Sequence, residues 1–138
     1  MLYLSIAGKG VLVSRKTVAR EMDIPEQFLG KIAQQLARAG SIEIIQGAKG
    51  GFRLTVMPAE LTLLRVIEAV IGEIFLNDCI LRPESCDRSP ACKVHVVWEN
   101  VRNQLRESLR NVTFATLMTE DPVLAPDLLS GKPYSLNP

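Results

Sequence analysis

Apolar residues recur at steps of three and four over much of this chain, and the breaks between those runs mark out its elements. Ser14 precedes RKTVAREM, in which Val18, Ala19 and Met22 share one side, so a serine-capped helix is expected there. Asp23-Ile24 makes a short break. Pro25 suits the first turn of a second helix, PEQFLGKIAQQLARAG, along which Phe28, Leu29, Ile32, Leu36 and Ala39 recur at helical spacing. Gly40 is a natural stop. Gln27, Lys31, Gln34, Gln35 and Arg38 fall on the polar side of this second helix. Two helices joined by so tight a turn read as a helix-turn-helix.

The period then changes from helical to alternating. In SIEIIQGAKGGFRLTV, Ile42, Ile44 and Ile45 and then Phe52, Leu54 and Val56 are strand-like, and Gly47-Ala48-Lys49-Gly50-Gly51 between them makes a hairpin tip. A helix-turn-helix followed by a basic, glycine-rich hairpin is the layout of a winged helix. Pro58 and Thr62 mark the start of a further helix, LTLLRVIEAVIG. The next stretch holds two turn-like groups, Arg82-Pro83-Glu84-Ser85 and Asp87-Arg88-Ser89-Pro90, and is expected to be a loop. A long helical pattern follows over about residues 91–117, with Val94, Val97/Trp98, Val101, Leu105, Leu109 and Val112 in one stripe. A helix of that length spans ~40 Å, more than a small domain needs for its own core, and is read as a dimerisation helix. Four of the eight prolines lie in the last stretch, which is expected to be irregular. The fold class is mostly α (α+β): a winged helix-turn-helix with a long C-terminal dimerisation helix. It divides into a DNA-binding head over 1–72, a cysteine-rich loop over 73–93, the dimerisation helix over 91–118 and a tail over 119–138.

Composition narrows the picture. The chain has 138 residues, 47% of them hydrophobic and 22% charged, which suits one soluble domain with an appended segment. The opening apolar run, MLYLSIAG, is too short to span a membrane and lacks the layout of a secretory signal. Three cysteines cannot all pair, so a reducing cytoplasm is expected. Net charge is only +1, but its distribution is uneven. Residues 1–56 hold eight Lys or Arg against four acids, a balance of +4 that leaves −3 for the rest, so the basic surface belongs to the head.

Candidate chemistry lies in two places. A helix-turn-helix puts its second helix in the major groove, and Gln27, Lys31 and Gln34 suit base edges there. Lys49 or Arg53 near the wing tip could reach phosphate or the minor groove, and Lys16 and Thr17, early in the first helix of the pair, join the DNA-contacting set. The bland alternative is a small α+β domain with solvated polar residues. The second place is CILRPESCDRSPACKVH. It holds all three cysteines, Cys79, Cys86 and Cys92, and the only histidine, His95, spaced C-x6-C-x5-C-x2-H. Zinc knuckles favour tight C-x2-C pairs. Wide gaps instead suit a segment wrapped round an iron–sulfur cluster, of the 2Fe-2S or 4Fe-4S kind, with His95 as fourth ligand. Zinc, a thiol–disulfide switch and unengaged surface thiols remain as alternatives, as does a metal loop docking a non-DNA partner. Arg102, Arg106 and Arg110, beside Glu99 and Glu107, read as a solvated row with helical ion pairs, and Trp98 as a packing anchor. No catalytic constellation or phosphate-cradling loop is present in the sequence, so an enzyme is not expected.

These pieces together resemble the small bacterial winged-helix regulators of the IscR/NsrR type. The likeness rests on VAREMDIPEQFLGKIAQQLARAG, the wing stretch IIQGAKGGFRL, LLRVIEAV, the three-cysteine segment, and CKVHVVWENVRNQL with its tryptophan three residues after the histidine. It implies a homodimeric, cluster-dependent transcription regulator, most simply a repressor, acting on a double-stranded DNA operator. Carried over by position, Cys79, Cys86 and Cys92 are cluster ligands and His95 the fourth. Gln27, Phe28, Lys31, Gln46 and Lys49 fall where the family touches DNA. Three features depart from the family pattern. The first cysteine gap has one extra residue, Gln46 stands where an arginine is usual, and Met1 falls inside the first helix, which is therefore expected to be short and to leave apolar surface beside it less covered.

Overall fold

The computed structural model describes residues 1–120. The chain begins with a short helix, α1 (Leu2–Ala7), ended by Gly8. Helix α2 (Arg15–Glu21) starts where Ser14 Oγ accepts the Thr17 backbone N–H at 3.1 Å, satisfying one otherwise unpartnered donor of the first turn. Asp23 then takes a left-handed conformation (φ 50°), which aspartate tolerates better than most residues, and the chain enters α3 (Glu26–Arg38). Leu29, Ala33 and Leu36 bury one face of α3 at steps of four and three. Its end is a Schellman cap. The Gly40 N–H donates to the Ala37 carbonyl (2.9 Å) and the Ser41 N–H to the Leu36 carbonyl (3.0 Å), with Gly40 at φ 67°.

The wing is an antiparallel pair, β1 (Ile42–Ile45) and β2 (Gly51–Leu54), with Ile42 opposite Leu54 and Glu43 opposite Arg53. Residues 9–13 run along its outer edge. Val13 and Phe52 exchange backbone hydrogen bonds of 2.9 and 2.8 Å, and the Gly10 N–H donates to the Leu54 carbonyl. That close approach explains Gly51, where a Cβ would lie 2.0 Å from the Val13 carbonyl oxygen. Phe52, Leu54 and Leu61 are nearly inaccessible and form the floor of one core with Val18, Leu29 and Leu36. Thr62 caps α4 (Leu63–Ile71), which packs along α3. An apolar cleft of about 330 Å³ opens beside α1 between Leu2, Met22, Ile32 and Val66.

Two expectations are corrected beyond the head. The cysteine segment is not an open loop. It forms a short helix, α5 (Asp78–Leu81), and two single 3-10 turns, Pro83–Ser85 and Ser89–Ala91. Each 3-10 turn carries a proline in its first residues, where the missing N–H costs nothing. The long helix is also shorter than the apolar stripe suggested. Helix α6 (Lys93–Arg110) has 18 residues, a length of about 27 Å. It stops at Asn111, and a separate helix, α7 (Phe114–Glu120), follows. Thr113 makes the break, its hydroxyl accepting the Thr116 N–H at 3.1 Å as an N-cap would. The backbone at this break is tied to the head. The Leu63 N–H donates to the Val112 carbonyl, and the Phe114 N–H to the Leu61 carbonyl. Phe114 is buried and α7 packs on α1, so residues 114–120 belong to the head. The tail expected over 119–138 lies outside the described residues from 121 onward. Among the described residues, no helix is long and apolar enough to cross a membrane.

Candidate functional site

One face of α3 is committed to the core, and the opposite face is left to solvent. Gln27, Phe28, Lys31 and Gln34 are all exposed there. Phe28, which the helical spacing alone would have placed inside, is 57% exposed, an aromatic ring set among polar neighbours. Gln35 departs from its expected role. It is half-buried, and its Nε2 donates to the Val70 carbonyl on α4 at 2.9 Å.

The start of α2, the start of α3 and the wing surround a cleft of about 440 Å³. Ser14, Arg15, Lys16, Glu26, Gln46 and Gly47 are among its walls, so the structure brings Lys16 and Gln46 together although thirty residues separate them. Arg15 joins them and was missed in the sequence. Its position beside the capping serine was the available signal. Thr17 is less free than expected, because its hydroxyl bonds Ser14 Oγ at 2.7 Å. Lys49 is exposed at the wing tip. Arg53 sits opposite Glu43 across the hairpin and pairs with its carboxylate, Nε at 2.7 Å and Nη2 at 2.6 Å, so its charge is already matched.

The cysteines are spread over three different turns. Cys79 is half-buried on α5, Cys86 is exposed after the first 3-10 turn, and Cys92 is the half-buried N-cap residue of α6. All three are free thiols. His95 lies in the first turn of α6, with Nδ1 buried and lacking a hydrogen-bond partner. The donor types suit a soft metal or cluster. Their placement does not assemble one: among the described residues, no three His, Cys, Asp or Glu side chains come together as a group able to hold a metal ion. The two proline-led 3-10 turns separate Cys79, Cys86 and Cys92, so gathering them requires this segment to rearrange.

Helix α6 has two distinct faces. Val94, Val97, Val101 and Leu105 are exposed and form an apolar stripe. The other face runs through His95, Trp98, Arg102, Arg106 and Leu109 and meets α4 and α5, with Trp98 still 37% exposed. The expectation of a solvated arginine row holds only for Arg110, which pairs with Glu107. Arg102 Nε donates to the Ile74 carbonyl at 2.7 Å, and its guanidinium also holds Glu73. Arg106 reaches Glu73 at 2.5 Å and Glu68 at 3.1 Å. Hydrogen bonding from Arg106, aided by the charges of both arginines and opposed by desolvation, holds the Glu73 carboxyl below its ordinary range. Trp98 Nε1 donates to the Asn77 side-chain oxygen at 2.8 Å in the amide orientation that satisfies both groups.

Known proteins are similar to this chain in sequence and fold. The family model Rrf2, described as an iron-dependent transcriptional regulator, matches residues 1–120. The chain is 30% identical over 134 residues to the HTH-type transcriptional regulator NsrR of Halalkalibacterium halodurans, covering 96% of this chain and 91% of that one. It is 25% identical over 124 residues to the regulator IscR of Vibrio parahaemolyticus, covering 90% and 73%. In fold it is similar to CymR, the global cysteine regulator of B. subtilis, with a TM-score of 0.68 at 22% identity over 87% of this chain and 88% of that one. It is likewise similar to IscR of T. potens, with a TM-score of 0.65 at 22% identity over 86% and 78%.

Proposed function

The chain belongs to the Rrf2 family of DNA-binding transcriptional regulators, not enzymes, and from that premise we propose that it is a homodimeric regulator whose cysteine segment senses redox, nitric oxide or iron–sulfur status. The observation that carries the DNA-binding part is the exposed face of α3, whose buried side leaves Gln27, Phe28, Lys31 and Gln34 free. Lying in the major groove, Gln27 and Gln34 suit adenine edges, Lys31 suits guanine or phosphate, and the Phe28 ring suits a thymine methyl. Lys16, Gln46 and Lys49 flank that face and would hold phosphates that set register, with Thr17 buttressing the α2 cap. Arg53 joins only if it leaves Glu43. The apolar stripe of α6 is the surface offered to a second copy, which would set two α3 helices on a palindromic operator.

For the sensing part, the support is chemical. Three free thiols and an imidazole nitrogen with no partner sit at the base of the helix that would join two subunits. Cys79, Cys86, Cys92 and His95 are the candidate ligands of an iron–sulfur cluster, which when bound would supply a redox- and nitric-oxide-reactive centre. A second reading uses the same thiols as a thiol–disulfide switch without metal, which would likewise require the segment to rearrange before two sulfurs meet. Anaerobic purification followed by iron, sulfide and zinc analysis separates these readings. Stoichiometric iron and sulfide, lost on replacing the three cysteines by serine, is the expected result. A colourless, metal-free anaerobic sample whose DNA affinity still changes with thiol oxidation would transfer the assignment to the switch. If gel shifts with duplex from upstream of its own coding sequence give the same affinity for the wild type and the triple variant, with and without oxidant, the sensing role is refuted.

A further inference from the structure

Polar contacts on α6 and α4, joined along those two helices, lead from the cysteine segment to α3, and they pass through the contact between α6 and the end of α4. On the sensing side, Trp98 is tied to Asn77, the residue that precedes the Cys79 helix, and His95 lies one turn earlier on the same face of α6. On the reading side, α4 is tied to α3 twice. The Gln35 side chain donates to the Val70 carbonyl, and Arg65 Nη2 donates to the Ala39 carbonyl at 3.0 Å. Arg102 and Arg106 stand between, one and two turns beyond Trp98. They grip Glu68, Glu73 and the Ile74 carbonyl, while Glu68 itself accepts the Ile74 N–H at 3.2 Å. Arg106 and Glu68 side chains are each 21% exposed, so that pair is less screened than an ordinary surface one, whereas Glu73, at 47%, meets the two arginines at the solvent edge of the cluster.

We propose that Arg102 and Arg106, holding Glu68, Glu73 and the Ile74 carbonyl, are the joint through which the cysteine segment and the DNA-reading helix α3 respond to one another. The inference rests on the regulator reading above. Coupling between two sites is reciprocal: a joint that carries the state of the cysteine segment to α3 must carry DNA binding back to it. Planar guanidinium groups that fork between two carboxylates and a carbonyl hold direction as well as distance, which makes this joint more than a nonspecific attraction.

Trp98 makes the test direct, because it is the only tryptophan in the chain and lies on the sensing side of the joint. The full chain is titrated with duplex DNA from upstream of its own coding sequence. Trp98 emission is followed, and binding is read separately by gel shift. The expected result is a DNA-dependent change in Trp98 emission that disappears in Arg102→Gln/Arg106→Gln although that protein still binds the duplex, and that Arg106→Lys largely retains. The quantity read is the change on adding DNA, so a shifted baseline from the nearby substitutions does not matter. Should the double variant fail to fold by circular dichroism, Glu73→Gln carries the same expectation, since it removes the carboxylate both arginines share. A folded, DNA-binding variant with the wild-type emission change would overturn the joint, as would a wild type that binds DNA with no change at all. A wild type that fails to shift the duplex would overturn the regulator reading beneath it, and the gel keeps these failures apart.

Discussion

Replacing Phe114 by alanine tests the assignment of residues 114–120 to the head. Phe114 is 4% exposed, and its backbone N–H is bonded to the Leu61 carbonyl beside the fully buried Leu61 side chain. A phenylalanine ring truncated in such a site costs about 3–5 kcal/mol, the lost transfer energy plus the cavity left behind. That is a large part of the roughly 5–15 kcal/mol that holds a domain of this size together. Urea unfolding followed by circular dichroism, at one fixed protein concentration, reads the loss. With a slope of about 1–1.5 kcal/mol per molar, the midpoint should fall by roughly 2–5 M, or the protein should be partly unfolded without denaturant. Had α6 instead continued as a single helix through residue 117, Phe114 would sit on an exposed surface. Truncation would then cost about 0.5 kcal/mol or less. A loss below about 1 kcal/mol would therefore refute the packing of α7 and restore the longer helix.

Three further outcomes are expected. Ser14→Ala removes the α2 cap and should cost about 1 kcal/mol in the same urea assay, with a wild-type-like slope. Lys49→Ala should weaken binding to all duplexes alike and reduce the dependence of log affinity on log salt by about one unit, whereas a loss confined to one sequence would contradict a phosphate contact. The Glu73 carboxyl is held below its ordinary value of 4.5 by its arginines, so its contribution is full above that value and is lost as pH falls through the lower, folded-state value. The wild type's stability advantage over Glu73→Gln should accordingly fade only on acidification below about pH 4.5, and an advantage unchanged down to strongly acid pH would rule out the ionised pair.

Much of the head was legible because its signals are local. Ser14, Asp23, Gly40, Thr62 and Gly47 act on their own backbone or on neighbours three or four residues away. Helix starts, stops and the hairpin could therefore be read in order. Phe28 and Gln35 show where that reading fails. A three-and-four spacing marks a helical stripe but not its width, so an edge phenylalanine was counted inside and an edge glutamine outside. Arg53 failed for a related reason. Its partner Glu43 is ten residues away, and only the register of β1 against β2 sets the two side by side. The Thr113 break was not read in the sequence, because the apolar stripe runs up to it at Val112 and suggests one continuous helix.

The cysteine segment divides the same way. Residue types and spacing are properties of the chain, and they were enough to single out Cys79, Cys86, Cys92 and His95 as donors. Whether those donors meet depends on the turns between them, which Pro83 and Pro90 hold apart in this conformation. The arginines of α6 go further. Their charges and four-residue spacing are plain in the sequence, yet the same pattern serves a solvated face or a clamp. The choice was made when α4 ended beside α6 and brought Glu68 and Glu73 within reach. Local backbone chemistry sets the elements; which charged face becomes a joint is decided by packing between residues 28 to 38 positions apart, a distance over which sequence periodicity carries no information.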